Sequence, residues 1–238
     1  MKRRLGRTGW QVGPLTLDLT TTTTLPPDDV DLVLVPAGAP DLPRVKQAVP
    51  LGRDRAEIEA SLAKTQRVDL GLLYLPSLQQ LLHGDGLPCL REHCQAGRID
   101  NLGVWCAGES DCELAVQLEG VDVVFVEFHP FALAVEREAL PRARSRDVGV
   151  VARCDTALLG RGPRQETSRL LESFPEYEGH LSWLLAAFSL AGPGVTSLLS
   201  TPADLDDLRR GLALPRLDPE NYRRVRRVAL GLGEKLPG

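Results

Sequence analysis

Residues 97–131 read GRIDNLGVWCAGESDCELAVQLEGVDVVFVEFHPF, a stretch in which two continuous apolar runs flank a segment with helical periodicity. The apolar runs are residues 101–105 and 121–126. Between them, residues 109–118 carry apolar side chains three or four positions apart. Continuous apolar strands joined by a helix are typical of a parallel sheet that is buried on both faces. The stretch therefore predicts a strand–helix–strand unit of an α/β fold.

The same residues resemble the fifth and sixth strands of an aldo-keto reductase barrel. G-K-I-R-x-I-G-V-S-N and Q-V-E-Y-H-P-Y are usual there, and this chain has G-R-I-D-N-L-G-V at 97–104 and V-E-F-H-P-F at 126–131. The family's R-x-L-G-x-T-G-L-x-V opening is matched at residues 3–12, and its D-L-x-L-x-H-x-P strand at 69–76. The resemblance implies a (β/α)8 TIM barrel with an N-terminal β-hairpin over the barrel bottom. It spans residues 1–238 as one domain, shortened in the region of the first three barrel strands.

The remaining elements follow from apolar patterns and cap residues. Helix starts are placed by cap chemistry, as at Thr201, which the sequence predicts as an N-cap followed by Pro202 at N1 and Asp204 at N3. Further strands are predicted at 14–19, 30–36, 47–51, 68–76, 148–152 and 194–199. Further helices are predicted at 53–65, 78–97 with an interruption at 84–88, 132–146, 177–190, from 200 onward, and 217–236.

Composition describes an ordinary globular chain. Its 238 residues are close to the roughly 250 of a typical TIM barrel, and its formal net charge is -4. This charge gives no bias towards nucleic acid or anionic lipid, and no apolar run approaches the ~20 residues of a membrane span. No apolar signal core follows the first four residues, so we expect a cytoplasmic protein with no nucleic-acid or membrane partner.

The five cysteines lack paired spacing and predict reduced thiols. Cys89, His93 and Cys94 are close enough in sequence to share a helix, which raises the question of a metal site. A closed zinc site needs four ligands, however, and no second pair lies nearby in sequence. The sequence therefore predicts buried thiols with an exposed histidine, and no metal.

The resemblance also implies NADPH as cofactor and a catalytic Asp, Tyr, Lys and His. In this chain, Val35 stands at the position of the Asp, and the Tyr falls near Pro40. Lys46 is the only candidate for the Lys, and it lies on the wrong side of its strand to face the barrel mouth. Tyr74 replaces the His.

The family's nicotinamide contacts are replaced as well. The Ser-Asn pair and the Gln that hold the carboxamide fall at Trp105, Cys106 and Phe125, and the Tyr that stacks on the ring falls at Arg153. The helix that grips the phosphates begins with three acidic residues, Asp204, Asp206 and Asp207, which repel a phosphate. We therefore expect no cofactor.

A ligand pocket at the barrel mouth would have eight lining residues, namely Tyr74, Trp105, Cys106, Phe125, Glu127, Arg153, Ser200 and Thr201. Weak catalytic candidates are Tyr74 as proton donor, Cys106, and Arg153 with Asp155 as a carboxylate clamp. The alternatives are structural: Tyr74 as a space-filling aromatic, and Arg153 with Asp155 as a local ion pair. Glu127 and His129 are interpreted as structural, because active family members carry the same E-Y-H-P without using either residue chemically.

Three functions remain open at this point. The first is a non-catalytic binding or assembly scaffold, favoured by a mouth filled by Trp105 and Phe125. The second is a non-redox lyase, isomerase or cyclase in the old pocket, favoured by a deep pocket lined by Tyr74, Trp105, Glu127 and Arg153. The third is an NADP-dependent oxidoreductase with a shifted site, which would draw its proton donor from residues 20–52.

Overall fold

The structure is a computed structural model that describes residues 2–22, 25–153, 164–177, 180–214 and 216–231. The strands within these ranges are β1 (Arg3–Arg4), β2 (Gln11–Val12), β3 (Leu15–Asp18), β4 (Leu32–Leu34), β5 (Lys46–Gly52), β6 (Val68–Tyr74), β7 (Ile99–Trp105), β8 (Val123–Glu127), β9 (Gly149–Arg153) and β10 (Val195–Ser200). The helices are α1 (Arg55–Leu62), α2 (Leu78–His83), α3 (Gly86–Gln95), α4 (Glu109–Ala115), α5 (Ala139–Ser145), α6 (Arg164–Ser173), α7 (Leu181–Ala191), α8 (Leu205–Leu212) and α9 (Pro219–Ala229).

Strands β3 to β10 form a closed, all-parallel barrel. Each strand pairs with its neighbour in chain order, and β10 returns to pair with β3. This arrangement confirms the predicted TIM barrel. The described residues between β3 and β5 form turns and extended backbone where a regular barrel has helices, which confirms that the barrel is shortened there.

The N-terminal hairpin covers the barrel bottom, as predicted. Strands β1 and β2 pair antiparallel, and Gly9 makes the turn with a left-handed φ of 75°. Leu5 is buried in the same apolar cluster as the barrel interior. Arg3 Nη1 fixes the hairpin to the barrel by donating to the carbonyls of Leu190 at 2.9 Å and Val195 at 2.7 Å.

The barrel interior is filled by inward-facing side chains that alternate with helix-facing ones. On β6, for example, Leu70 and Leu72 belong to the interior cluster, while Leu73 packs in the layer between strands and helices. Gly103 on β7 is inward as well, and a Cβ there would lie 2.4 Å from Leu72 Cδ2. A buried bond between the hydroxyls of Thr16 and Ser197, 2.9 Å long, joins β3 to β10.

Two predicted helices differ from those observed. The predicted helix at 132–146 is a 3-10 turn (Ala134–Glu136) followed by α5, because an isolated bridge from His129 to Ala132 holds the chain before it. The predicted helix at 177–190 begins at Leu181, after a 3-10 turn (Pro175–Tyr177). Residues 164–173 form α6, which the sequence analysis did not predict.

The prediction of Thr201 as an N-cap is wrong. The N-cap of α8 is Asp204, and the helix starts at Leu205. The Thr201 hydroxyl donates to Asp204 Oδ2 at 2.7 Å, and the Asp204 N–H donates to the Thr201 carbonyl at 3.2 Å. These two bonds close a turn ahead of the helix. Among the described residues, no helix combines the length and apolar composition needed to span a bilayer.

Candidate functional site at the barrel mouth

The floor of the mouth is an aromatic stack at the carboxyl ends of two neighbouring strands. Trp105 on β7 is the ladder partner of Phe125 on β8. Their ring centroids are 5.5 Å apart, and the planes differ by 9°. Trp105 is 5% exposed and Phe125 is fully buried. The pair therefore closes the top of the barrel interior, as offset-stacked rings do in a packed core.

Two further side chains pack on the same indole. Tyr74, the ladder partner of Trp105 on β6, has its ring centroid 5.3 Å away at 56°. Arg153, at the end of β9, places its guanidinium carbon 5.0 Å from the centroid of the indole ring. This is the distance of a cation–π contact. The structure thus brings Trp105 together with three other predicted pocket residues, namely Tyr74, Phe125 and Arg153.

The mouth contains two buried donors without a partner. Trp105 Nε1 and Arg153 Nε are both inaccessible to solvent and find no hydrogen-bond acceptor among the described residues. Buried polar groups are nearly always satisfied, and leaving one unsatisfied costs about 1–3 kcal/mol. An acceptor atom at the mouth, from a water or a ligand, would relieve that cost.

Glu127 is an inward-facing carboxylate at the carboxyl end of β8. Glu127 is the ladder partner of Arg153, and its Oε1 lies 3.2 Å from His129 Nε2. His129 Nδ1 accepts from the N–H of Phe131 at 3.2 Å, so the ring proton is on Nε2 and is donated to Glu127. This bond fixes the orientation of both side chains, and their structural role stays a prediction.

Asp18 is a mouth residue that the sequence analysis missed. It ends β3 in the same inward phase as Thr16, and its Oδ1 accepts from the backbone and the hydroxyl of Thr20 at 2.9 and 2.6 Å. Strand alternation from Thr16 was the signal that could have found it.

Three predicted site residues, Cys106, Ser200 and Thr201, are not part of this cluster. Cys106 packs in the helix-facing layer with Cys112, and that thiol, followed by burial, raises the pKa of Cys106 well above its ordinary value. It is therefore a poor nucleophile. Ser200 is buried in the helix-facing phase of β10 and donates to the Thr201 carbonyl, while Thr201 is exposed. Asp155 lies outside the described residues.

Solved structures share this architecture. A thermostable aldo-keto reductase, Tm1743, solved in complex with the inhibitor epalrestat, superposes with a TM-score of 0.75 at 18% identity over 96% of this chain and 99% of its own. The aldo-keto reductase AKR11C1 from Bacillus halodurans, in its holo form, superposes with a TM-score of 0.75 at 15% identity over 95% of both chains. The chain has the fold of the aldo-keto reductases. Neither a protein-family model nor a curated protein matches its sequence.

Two of the residues aligned with the catalytic positions of the aldo-keto reductases lie away from the aromatic cluster. Val35 is buried and offers only its backbone. Lys46 begins β5 at the barrel bottom, where its Nζ lies 2.9 Å from Asp69 Oδ1. Because β5 continues to Gly52 and a strand rises about 3.3 Å per residue, Lys46 is roughly 20 Å from the mouth. Tyr74 is therefore not paired with Lys46.

The structure also shows which residues lie at the cofactor positions implied by the resemblance. The positions that hold the carboxamide in aldo-keto reductases are the buried aromatic stack and the helix-facing Cys106. At the expected phosphate position, Asp206 and Asp207 occupy the first turn of α8. Asp207 is held there by Ser182 Oγ at 2.8 Å and Trp183 Nε1 at 3.0 Å, so its charge stays at the helix start.

A second concave region, the arginine cavity, lies on the barrel bottom beside the hairpin and has a volume of about 820 Å³. Its wall is apolar, with leucines from α7 and α8. Its charged lining residues are all arginines, namely Arg3, Arg4, Arg144, Arg216 and Arg223. Burial, followed by the charge of Arg216, lowers the pKa of Arg3. The cavity thus concentrates positive charge on a chain whose net charge is -4.

Proposed function

We propose that this chain is an aldo-keto-reductase-like barrel that has lost NADPH-dependent carbonyl reduction and serves as a non-catalytic binding or assembly protein. The proposal is carried by one observation, the stack of Trp105 on Phe125 at the place where the fold family holds the nicotinamide ring. A ring could enter only if this stack opened. The interior below the stack is closely packed, since a Cβ on Gly103 would lie 2.4 Å from Leu72 Cδ2.

The proton chemistry supports the same proposal. Reduction of a carbonyl needs a proton donor beside the developing alkoxide. Tyr74 is a phenol at the mouth, but the lysine that would assist it lies at the other end of the barrel, bound to Asp69. Tyr177 and Tyr222 are packed elsewhere, one before α7 and one on α9.

The experiment that tests the loss of reduction is a titration of the full chain with NADPH and with NADP, followed by tryptophan fluorescence and calorimetry. We expect no saturable binding up to millimolar cofactor. The control is Trp105→Phe, which removes the reporter at the mouth and keeps an aromatic ring over Phe125. Micromolar binding that quenches Trp105 would overturn the proposal and favour an oxidoreductase with a shifted site.

The binding role is assigned to the arginine cavity, and its ligand is an anion with an apolar body. Guanidinium groups bind carboxylates and phosphates, and a volume of about 820 Å³ is within the range of small-molecule sites. None of the described residues that line the cavity carries a carboxylate, although Arg4 pairs with Asp147 at its edge. An acidic segment of a protein partner would use the same charges.

Calorimetry with hexyl phosphate and with hexanol tests this assignment. We expect the phosphate ester to bind and the alcohol not to bind. The double variant Arg144→Ala, Arg223→Ala removes two exposed rim charges and should weaken the phosphate, whereas Arg67→Ala, an exposed arginine paired with Asp100 on another surface, should not. Equal binding of the alcohol, or an unchanged double variant, would contradict a role for the arginines.

A second candidate function is a non-redox enzyme or ligand binder that uses the mouth. It is favoured by the two unpartnered buried donors, Trp105 Nε1 and Arg153 Nε, beside Tyr74 and Glu127. A small carboxylate would supply the missing acceptor. The test is a screen of short-chain carboxylates by thermal shift, with Arg153→Met as the variant that must lose any response. A response that survives in Arg153→Met would exclude the mouth as its origin.

A further inference from the structure

Three side chains with metal-binding atoms meet between α1 and α3, on the outside of the barrel. Cys89 and His93 are one helical turn apart on α3, and Glu59 faces them from α1. Glu59 Oε1 is 3.1 Å from His93 Nε2 and 3.9 Å from Cys89 Sγ. The three atoms all lie within 4.8 Å of one another.

These separations are close to those of a tetrahedral zinc site. With Zn–N and Zn–O bonds of about 2.0 Å and a Zn–S bond of about 2.3 Å, ligand atoms lie roughly 3.3 to 3.6 Å apart. The distances from Glu59 Oε1 to His93 Nε2 and to Cys89 Sγ, 3.1 and 3.9 Å, lie on either side of that range. A thiolate, an imidazole and a carboxylate also form a donor set that suits zinc better than calcium or magnesium.

The charge around the three ligands favours a dication. Glu92 and Asp85 are the other acidic groups beside the site, and Arg55 is the basic one. Arg55 is committed to Glu92 by two bonds of 2.8 Å, its backbone N–H binds Asp85, and it stays 4.0 Å from Glu59. When Cys89 is ionised, the four acidic groups Glu59, Asp85, Cys89 and Glu92 and the single cation Arg55 carry a net charge of about -3. A dication offsets most of this charge.

The three side chains of this cluster differ in their exposure to solvent. Cys89 is fully buried and His93 is 13% exposed at its side chain, while the Glu59 side chain is 47% exposed. Glu59 therefore leaves an open side on which water can complete the coordination. A cysteine thiol ordinarily carries its proton at neutral pH, and the metal ligand is the thiolate, so metal binding must release that proton to solvent.

We propose that Glu59, Cys89 and His93 bind Zn²⁺ and so fasten α1 to α3. The bond that breaks is the Cys89 S–H bond, the bond that forms is S–Zn, and one proton leaves for each metal bound. The site is separate from the mouth and from the arginine cavity, so it does not depend on the proposed function. The sequence spacing of Cys89 and His93 gave only two ligands, and the fold supplies the third.

The experiment is competition between the full chain and a chromophoric chelator for Zn²⁺, with Co²⁺ spectra as a second readout. We expect one equivalent to bind, proton release to accompany binding, and a sulfur-to-cobalt charge-transfer band to appear. Cys89→Ser, His93→Gln and Glu59→Gln should each weaken binding by about a hundredfold or more, since even outer-shell partners are worth 10–100-fold. Cys89→Ser should also abolish the charge-transfer band.

The matched control is Cys94→Ser. Cys94 is the next residue after His93, and burial, with Asp122 and Asp100 nearby, raises the pKa of its thiol to about 11, so it faces different groups. This variant should bind Zn²⁺ as the native chain does. Glu59→Gln keeps the test valid if Cys89→Ser fails to fold, because Glu59 is exposed. Binding that survives Cys89→Ser, is lost in Cys94→Ser, or is weaker than about 100 μM in the native chain overturns the proposal.

Discussion

The indole of Trp105 and the ring of Phe125 are adjacent across the β7–β8 ladder and stacked within 9° of parallel. Tyr74 and Arg153 also pack on this indole, so removing it takes away three packing contacts. We therefore expect Trp105→Ala to lower the free energy of unfolding by about 3–5 kcal/mol, the usual cost of truncating a buried aromatic side chain. Urea denaturation measures this.

The control for that prediction is Trp10→Ala. Trp10 lies at the barrel bottom, is only half-buried, and has the Lys46 ammonium 5.2 Å from its ring centroid. Its loss should cost clearly less than the loss of Trp105. Equal costs for the two variants would mean that the mouth is not a packed part of the core.

Gly6 packs so closely against the barrel bottom that a larger residue at this position should destabilise the protein. A Cβ on Gly6 would lie 2.1 Å from the amide nitrogen of Gly149 and 2.7 Å from the Asp147 carbonyl. Both are backbone atoms and cannot rotate away. We expect Gly6→Ala to destabilise the protein by about 3 kcal/mol, in the range of severe overpacking.

The control is Gly9→Ala, which introduces the strain of a positive φ without the steric clash expected at Gly6. Gly9 also has a positive φ of 75°, but a Cβ there would have no atom within 4 Å. Its cost should be limited to the left-handed conformation, about 1–2 kcal/mol. Unfolding curves of the two variants side by side decide the question, and a Gly9→Ala cost equal to that of Gly6→Ala would count against tight docking of the hairpin.

A hydrogen bond from Tyr222 ties α9 to the chain before α5. The Tyr222 hydroxyl donates to Glu136 Oε1 at 2.7 Å, and Arg226 Nε lies 2.7 Å from Glu136 Oε2. Tyr222→Phe keeps the ring stacked on Phe188, 4.4 Å away, and removes only the hydroxyl. We expect a loss of about 1–3 kcal/mol, because the buried carboxylate oxygen loses its donor.

A double-mutant cycle with Glu136→Gln isolates that bond. If the hydroxyl acts through Glu136, the effect of Tyr222→Phe should shrink in the Glu136→Gln background. Additive effects would show that the two side chains act independently.

The thiol of Cys94 should react with disulfide reagents in a strongly pH-dependent way. Burial, followed by Asp122 and Asp100, raises its pKa to about 11. A raised pKa means less thiolate at any given pH, so at pH 8 only about one molecule in a thousand is reactive. We expect the rate to rise about tenfold per pH unit from pH 8 to 10.

Ellman's reagent on the native protein measures this rate. The protein should carry Cys154→Ser, because Cys154 lies outside the described residues, and the reference is the same protein with Cys94→Ser. Cys89, Cys106 and Cys112 are buried and should react only on unfolding. A rate that stays flat over this pH range would contradict the raised pKa.

Strands such as β7 and β8 were predictable because they contain continuous apolar runs, and a strand buried on both faces leaves that record in the sequence. Residues 97–131 gave β7, α4 and β8 within two or three residues at either end. The helix starts were less predictable. Thr201 and Asp204 are both residue types that favour the N-cap, and Asp204 takes this position although its carboxylate accepts from the Thr201 hydroxyl and caps no backbone N–H.

The mouth was predictable in part. Family alignment placed Tyr74, Trp105, Phe125 and Arg153 near one another, and the structure brings them together. Cys106 was placed in the pocket by the prediction, but side chains alternate along a strand. Cys106 comes one residue after the inward-facing Trp105 and therefore faces the helices. The contact of Arg153 with the indole depends on the stagger between strands that are not neighbours, for which the sequence contains no local signal. Glu59 lies 30 residues before Cys89, so spacing could not reveal it.

The hydroxyl bond between Thr16 and Ser197 spans 181 residues of chain. At about 5–20 residues per second, β3 leaves the ribosome roughly 10 to 35 seconds before its partner β10 exists. During that interval, one edge of the growing sheet has unpaired backbone groups, which are a template for pairing with another chain. Barrel closure therefore has to wait for the synthesis of β10, and the open edge before it is where this protein would depend most on chaperones.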